Sequence, residues 1–189
     1  ELMAAVGRGK PDIAPPFGFN RIITLESIDS PLLPMLNVRY ILSLTDIDRP
    51  FFRKVFQEGS TRVYEYTHAM PRAYIADTVF WVKTKQEAIQ ALFEAPKQAN
   101  YFAVVESIQK PVESIHQSES GVVTIRSYSS SAISIEADVK QSSFLVLSES
   151  YSRLWRLRVD GLDTRIYRTN YGFMGAIVPA GIHRVEFTL

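Results

Sequence analysis

The chain has 189 residues, of which 46% are hydrophobic and 12% aromatic, with a formal net charge of +1. That is enough apolar side chain for one packed domain with a subsidiary layer, which argues against disorder; the near-zero charge argues against a dedicated nucleic-acid binder. There is no cysteine, so disulfides, thiolate zinc sites and thiol nucleophiles are excluded, and the composition leans towards export. No apolar run approaches the roughly 18–20 residues needed to span a bilayer.

Residues 1–20 carry Gly7, Gly9, Pro11, Pro15, Pro16 and Gly18. That density of breakers reads as a leader or linker. No signal-peptide pattern follows Glu1, which reads as the start of an excised piece of a longer protein. Arg21–Leu25 is a short strand candidate, and Ser30 followed by Pro31 predicts a helical turn capped by Ser30. Val38–Leu44 is β-rich and nearly continuous in apolar character, which predicts a strand buried on both faces. Arg62–Tyr66 alternates as a strand, and Ala73–Ala76 with Thr78–Val82 supply one or two more. Thr84 and Glu87 form a capping box ahead of Ile89, Leu92 and Phe93 at helical spacing, and Pro96 stops the helix. Tyr101–Val105 is a further strand, and Gln109–Gly121 a polar connection.

From Val122 onwards the period is two. Val123 and Ile125, then Ile133, Ile135 and Ala137, alternate with polar residues; Phe144–Leu147 is a short continuous apolar run. Trp155, Leu157 and Val159 alternate with Arg156 and Arg158, which predicts Trp155 in the core. Met174, Ala176 and Val178 precede Pro179-Ala180-Gly181, and Val185, Phe187 and Leu189 close the chain. Short strands at this spacing with turns between them predict an antiparallel β-sandwich. Asp160-Gly161 between two such runs is the strongest hairpin signal.

No catalytic constellation is legible. His68, His116 and His183 are far apart, and none has a second ligand at metal spacing; His183, in phase with Val185, reads as a half-buried strand residue. Asp46 and Asp48 lack the glycine and glutamate of a calcium loop. There is no Gly-x-Ser-x-Gly elbow and no phosphate loop. Two softer features remain. Arg153, Arg156, Arg158, Arg165, Arg168 and Arg184 could form an anion site, although a solvated face balanced by Glu136, Asp163 and Glu186 is the plainer reading. Among the aromatics Trp81, Tyr151, Trp155, Tyr167, Tyr171 and Phe173, the pair Tyr167 and Tyr171 flanks Asn170 in a turn. They are the surface candidates for stacking on a sugar ring, against the alternative of sandwich-corner packing.

The stretch Leu147-Ser148-Glu149-Ser150-Tyr151, then Trp155 to Gly161, then Tyr167 to Gly175, then Val178-Pro179-Ala180-Gly181-Ile182-His183-Arg184-Val185-Glu186-Phe187 resembles the C-terminal extracytoplasmic domain of the YfhO family of bacterial multi-pass membrane proteins. Leu36–Ser43, Val63–Glu65 and Met70–Tyr74 resemble it upstream, in order and rough spacing. Ser152-Arg153-Leu154 departs from the family's Pro-Gly turn before the Trp. The resemblance implies a membrane body like that of lipid-linked-sugar glycosyltransferases, with catalytic carboxylates in that body and none carried by this chain.

The reading is a mainly β protein: an antiparallel β-sandwich, jelly-roll or immunoglobulin-like, over residues 121–189, with an α+β portion at 38–108 containing one clear helix and a leader at 1–37. The function it implies is a non-catalytic accessory domain on the extracytoplasmic side of a bacterial membrane. Its partners are the membrane-embedded remainder of the parent and an envelope glycan or anionic polymer, with no nucleic acid, cofactor or metal. The alternative is a carbohydrate-binding module of β-sandwich type. The accessory reading expects a flat or convex late-strand surface with Trp155 buried. The binding module expects a groove with exposed aromatics and hydrogen-bonding partners, with Tyr167, Arg168, Asn170 and Tyr171 as ligand-binding residues.

Overall fold

The computed structural model describes residues 28–97, 100–108 and 121–189. The strand expected at Arg21–Leu25, most of the polar connection after Gln109, and His116 lie outside these residues. In chain order, a 3-10 turn at Pro34–Leu36 leads into β1 (Tyr40–Ser43), β2 (Phe52–Glu58) and β3 (Thr61–Tyr66). Then come β4 (Ala73–Ile75), β5 (Thr78–Val82), helix α1 (Lys85–Glu94) and β6 (Phe102–Glu106). The last part holds β7 (Val122–Tyr128), β8 (Ala132–Val139), β9 (Ser143–Ser150), β10 (Arg156–Val159), β11 (Leu162–Thr164), β12 (Tyr167–Thr169), β13 (Phe173–Val178) and β14 (Gly181–Thr188).

The strands form three sheets, ordered β1-β3-β2, β11-β10-β14-β8-β7 and β4-β9-β13-β12-β6-β5. Every pairing is antiparallel except β5 with β6, which α1 joins as a parallel crossover. The six-stranded sheet takes β4, β5 and β6 from the earlier half of the chain and β9, β12 and β13 from the later half, so the portions 38–108 and 121–189 share one sheet.

The mainly β, antiparallel expectation holds, and β9 shows why. Its run Phe144-Leu145-Val146-Leu147 is fully buried, with side chains alternating between two cores. Leu145 and Leu147 join Met174, Ala176 and Val178 of their own sheet against Ile133, Ile135, Leu157, Val185 and Phe187 of the five-stranded sheet, so this core fills a two-sheet sandwich. Phe144 and Val146 join Tyr74, Tyr167, the α1 residues Ala88, Ile89 and Leu92, and Leu32 and Met35. A strand buried on both faces needs no polar alternation. Each such side chain contributes about 1.5–3 kcal/mol of burial.

Local signals behave as the residues dictate. Thr84 Oγ1 accepts from Glu87 N at 3.1 Å, and the Glu87 carboxylate reaches back one residue further than the cap, to Lys83 N at 2.8 Å. Asp160 and Gly161 adopt φ of +51° and +82° in the tight β10–β11 turn, where an Asp-Gly pair is at home. The helical turn falls at Pro34–Leu36, and Ser30 acts through its backbone oxygen, which accepts from Leu33 N; its Oγ has no hydrogen-bond partner among the described residues.

One expectation is overturned. Val38–Leu44 is not buried on both faces: Leu42 is 72% exposed and Leu44 70%. The short β1 pairs with β3 at the edge of the small sheet, and no second layer of described residues covers that face. Among the described residues no helix is long and apolar enough to cross a membrane.

Candidate functional site: an open groove beside Trp155

Tyr167, Asn170 and Tyr171 are not on the surface. Tyr167 and Tyr171 are buried in the helix-side core, and Tyr167 packs edge-on to Trp81 at 5.7 Å between ring centres. Asn170 is fully buried at φ +47°, a left-handed position that Asn tolerates well. Its Oδ1 accepts from Val104 N at 2.8 Å, and its Nδ2 donates to the Tyr74 hydroxyl at 3.0 Å. That hydroxyl in turn donates to Phe102 O at 2.9 Å. These three residues therefore serve packing and strand linkage. The expectation of exposed stacking rings fails because the Thr169–Gly172 turn folds inward over β6, with Asn170 N donating to Val104 O at 2.7 Å.

Arg168 does reach the surface. On the opposite side of β12 from Tyr167, its guanidinium lies 5.1 Å from the centre of the Tyr151 ring and 3.9 Å from Glu106 Oε2. Burial pushes the Glu106 carboxyl up, and Arg168 and Lys85 partly offset that. Glu106 Oε1 and Arg168 Nε are buried without a hydrogen-bond partner among the described residues.

From Tyr151 the surface opens into a groove of about 480 Å³, walled by the Tyr151–Trp155 turn, the start of β10, and the end of β11 with Ile166. Tyr151 and Trp155 are half-buried, and both pack on the edge of the sandwich core. Arg153, Arg156, Asp163 and Thr164 supply the polar lining. Asp163 accepts from Arg158 Nε at 3.0 Å. Arg184 pairs with Glu186 at 2.7 Å. Arg153 and Arg156 are exposed and have no acidic partner among the described residues, so the bland reading of a fully balanced arginine face holds for Arg158 and Arg184 but not for these two.

Trp155 lies outside the strict core because β10 begins only at Arg156; the alternation that puts it in phase with Leu157 stops there. Trp155 instead ends a turn in which its N–H donates to Ser152 O at 3.3 Å and Leu154 N donates to Ser152 Oγ at 3.2 Å. Chemically the groove offers the Trp155 ring, and the Tyr151 ring beside the Arg168 guanidinium, next to two guanidinium groups with no acidic partner among the described residues. A pyranose or polyol stacks on such rings, and a phosphate or carboxylate matches the guanidinium fork. Among the described residues no cluster of three His, Asp or Glu side chains could hold a metal ion.

Residues 98–189 match the model of the family described as bacterial membrane protein YfhO. The upstream pieces of the resemblance, from Leu36 to Tyr74, lie outside that match. No curated protein and no solved structure matches the chain.

Proposed function

We propose, from the match of residues 98–189 to the model of the YfhO family of bacterial membrane proteins, that this chain is a non-catalytic accessory domain on the extracytoplasmic side of a membrane-anchored parent, where its groove contacts an envelope glycan or anionic polymer. The observation that supports the contact is the placement of Tyr151 and Trp155 along one open groove beside Arg153 and Arg156, which have no acidic partner among the described residues. An acceptor polymer presented to a membrane enzyme is long and repeated, and an open groove accepts an internal segment where a closed pocket would not. The chemistry itself is assigned to the membrane-embedded remainder, as the family resemblance implies; Glu106, a carboxyl among the described residues that burial raises, is engaged by Arg168.

A second reading, a self-sufficient carbohydrate-binding module, is favoured by the open groove and the half-buried Trp155 at its wall, and weakened by the burial of Tyr167, Asn170 and Tyr171, the residues first expected to bind. A glycan array together with pull-down on neutral and phosphate-bearing envelope polymers separates the two. Loss of polymer binding in both Trp155→Ala and Arg156→Ala supports acceptor contact. Retention in Arg156→Ala with loss in Trp155→Ala supports a neutral-sugar module. Absence of binding by the folded wild-type chain removes both.

A further inference from the structure

We propose that the open face of the three-stranded sheet is a lipid-docking surface that seats on the interfacial layer of an anionic bilayer. The register places Leu42, Val63 and Phe56 side by side across β1, β3 and β2, and Tyr40, Glu65 and Arg53 in the next row of the same face. Leu42 is 72% exposed, Phe56 54% and Tyr40 52%, and Leu44 and the bulge residue Val55 extend the same apolar stretch.

The opposite face is partly covered: Tyr64 and Tyr66 are buried on it, while Lys54 and Gln57 stay exposed. Asp46 and Ile47 fold over it, with Asp46 accepting from Lys54, Arg62 and the Tyr64 hydroxyl, which itself accepts from Ile47 N at 3.0 Å. Among the described residues, one face of the sheet is thus partly covered by its own loop, and the other presents Leu42, Phe56 and Tyr40 to solvent beside the Glu65–Arg53 row.

The rim chemistry points to lipid. Glu65 is held between Arg39 and Arg53, whose side chains are 67% and 71% exposed, and the Arg39 guanidinium lies 5.7 Å from the centre of the Tyr40 ring. Apolar side chains at the centre with Tyr and Arg at the edge are the composition of a surface at the headgroup boundary, where arginine stems cover apolar area and their heads meet phosphates. The area argues against a protein partner: three strands of this length present about 300 Å², against about 800 Å² per partner in a stable dimer. A domain already tethered to a membrane needs only a weak, small contact, because tethering raises its effective concentration at the surface.

The proposal rests on the reading of the chain as part of a membrane protein but uses no groove residue. The test is flotation of the full chain with phosphatidylglycerol vesicles and with phosphatidylcholine vesicles, with polymer pull-down run in parallel. The wild-type chain is expected to float with the anionic vesicles, and L42S/F56S to lose that binding at least about tenfold, with unchanged circular dichroism. Leu44→Ser, just beyond the end of β1, is expected to weaken binding in the same direction and keeps the test valid if the double variant unfolds. Three outcomes overturn the proposal: a wild-type chain that floats with neither vesicle, flotation unaffected by these substitutions, or wild-type self-association in sedimentation that L42S abolishes, which would assign the face to a second copy. Polymer binding without vesicle binding sinks this proposal and leaves the groove reading standing.

Discussion

Asn170 Nδ2 donates to the Tyr74 hydroxyl at 3.0 Å across 96 residues of chain, in a site that excludes water from both. The same amide accepts from Val104 N, so one side chain links the end of β12 to β4 and β6. Burial drives the Tyr74 hydroxyl far above its ordinary value, so it stays a neutral donor and acceptor. Replacing Asn170 by Ala leaves Val104 N without its acceptor and the Tyr74 oxygen without its donor, although that hydroxyl still donates to Phe102 O, and loses a residue suited to φ +47°. The expected loss is about 2–4 kcal/mol, read as a lower urea midpoint at constant slope.

Tyr167 is the second test of whether the late turn is structural. Its ring meets Trp81 and Phe144 at 5.7 and 5.9 Å. Tyr167→Ala is expected to cost about 3 kcal/mol and to change Trp81 fluorescence. Arg153→Ala, at an exposed position, is expected to move stability by less than about 0.5 kcal/mol. Equal effects of the two in thermal unfolding would contradict the packing role of Tyr167.

Gly175 sits where β13 passes under a ring. A Cβ there would lie 2.5 Å from Phe144 Cε1 and 2.5 Å from Thr169 Oγ1, both in fully buried residues. Neither neighbour has room to withdraw, so Gly175→Ala is expected to destabilise by about 1–3 kcal/mol through overpacking. A denaturation curve indistinguishable from wild type would show that this strand has slack.

The β10–β11 turn is tied to β14 by an ion pair. His183 Nδ1 and Asp160 Oδ2 are 2.6 Å apart, and Arg184 N donates to Asp160 Oδ1 at 2.8 Å. The hydrogen bond to Asp160 holds His183 above its ordinary 6.5, and the hydrogen bond to His183 holds Asp160 below 3.8. The His183 contribution is therefore fully present below about pH 6.5 and lost as pH rises through its raised value. The Asp160 contribution is present above about pH 4 and lost as pH falls through its lowered value. Thermal unfolding of wild type and His183→Gln across this range is expected to show a gap that is widest in mildly acid solution and narrows on the alkaline side. A gap independent of pH would mean that the imidazole acts through packing alone.

Sequence legibility followed how local each cause was. The Thr84 cap, the Asp160-Gly161 turn and the inward alternation of Met174, Ala176 and Val178 depend on a few neighbouring residues, and all three are found as read. The groove was visible only in pieces. Trp155, Arg153 and Arg156 stand out as residue types, but their meeting with Asp163 and Thr164 depends on where β10 starts and how β11 folds back. Tyr167 and Tyr171 look like surface aromatics because a turn with Asn is normally exposed; here the turn folds over β6.

Read along the chain, side chains suffice for the class of the protein: short strands with period two, a capped helix, and a late block of motifs that matches the YfhO family model. Those follow from side-chain periodicity and local backbone preference. Which apolar runs are covered is settled by the packing of the folded chain. Phe144–Leu147 and Tyr40–Leu44 are similar in composition, yet the first is sealed between two cores and the second leaves Leu42 and Leu44 in solvent. The difference lies in the layers stacked on each strand, and burial is a property of those neighbours rather than of the run itself.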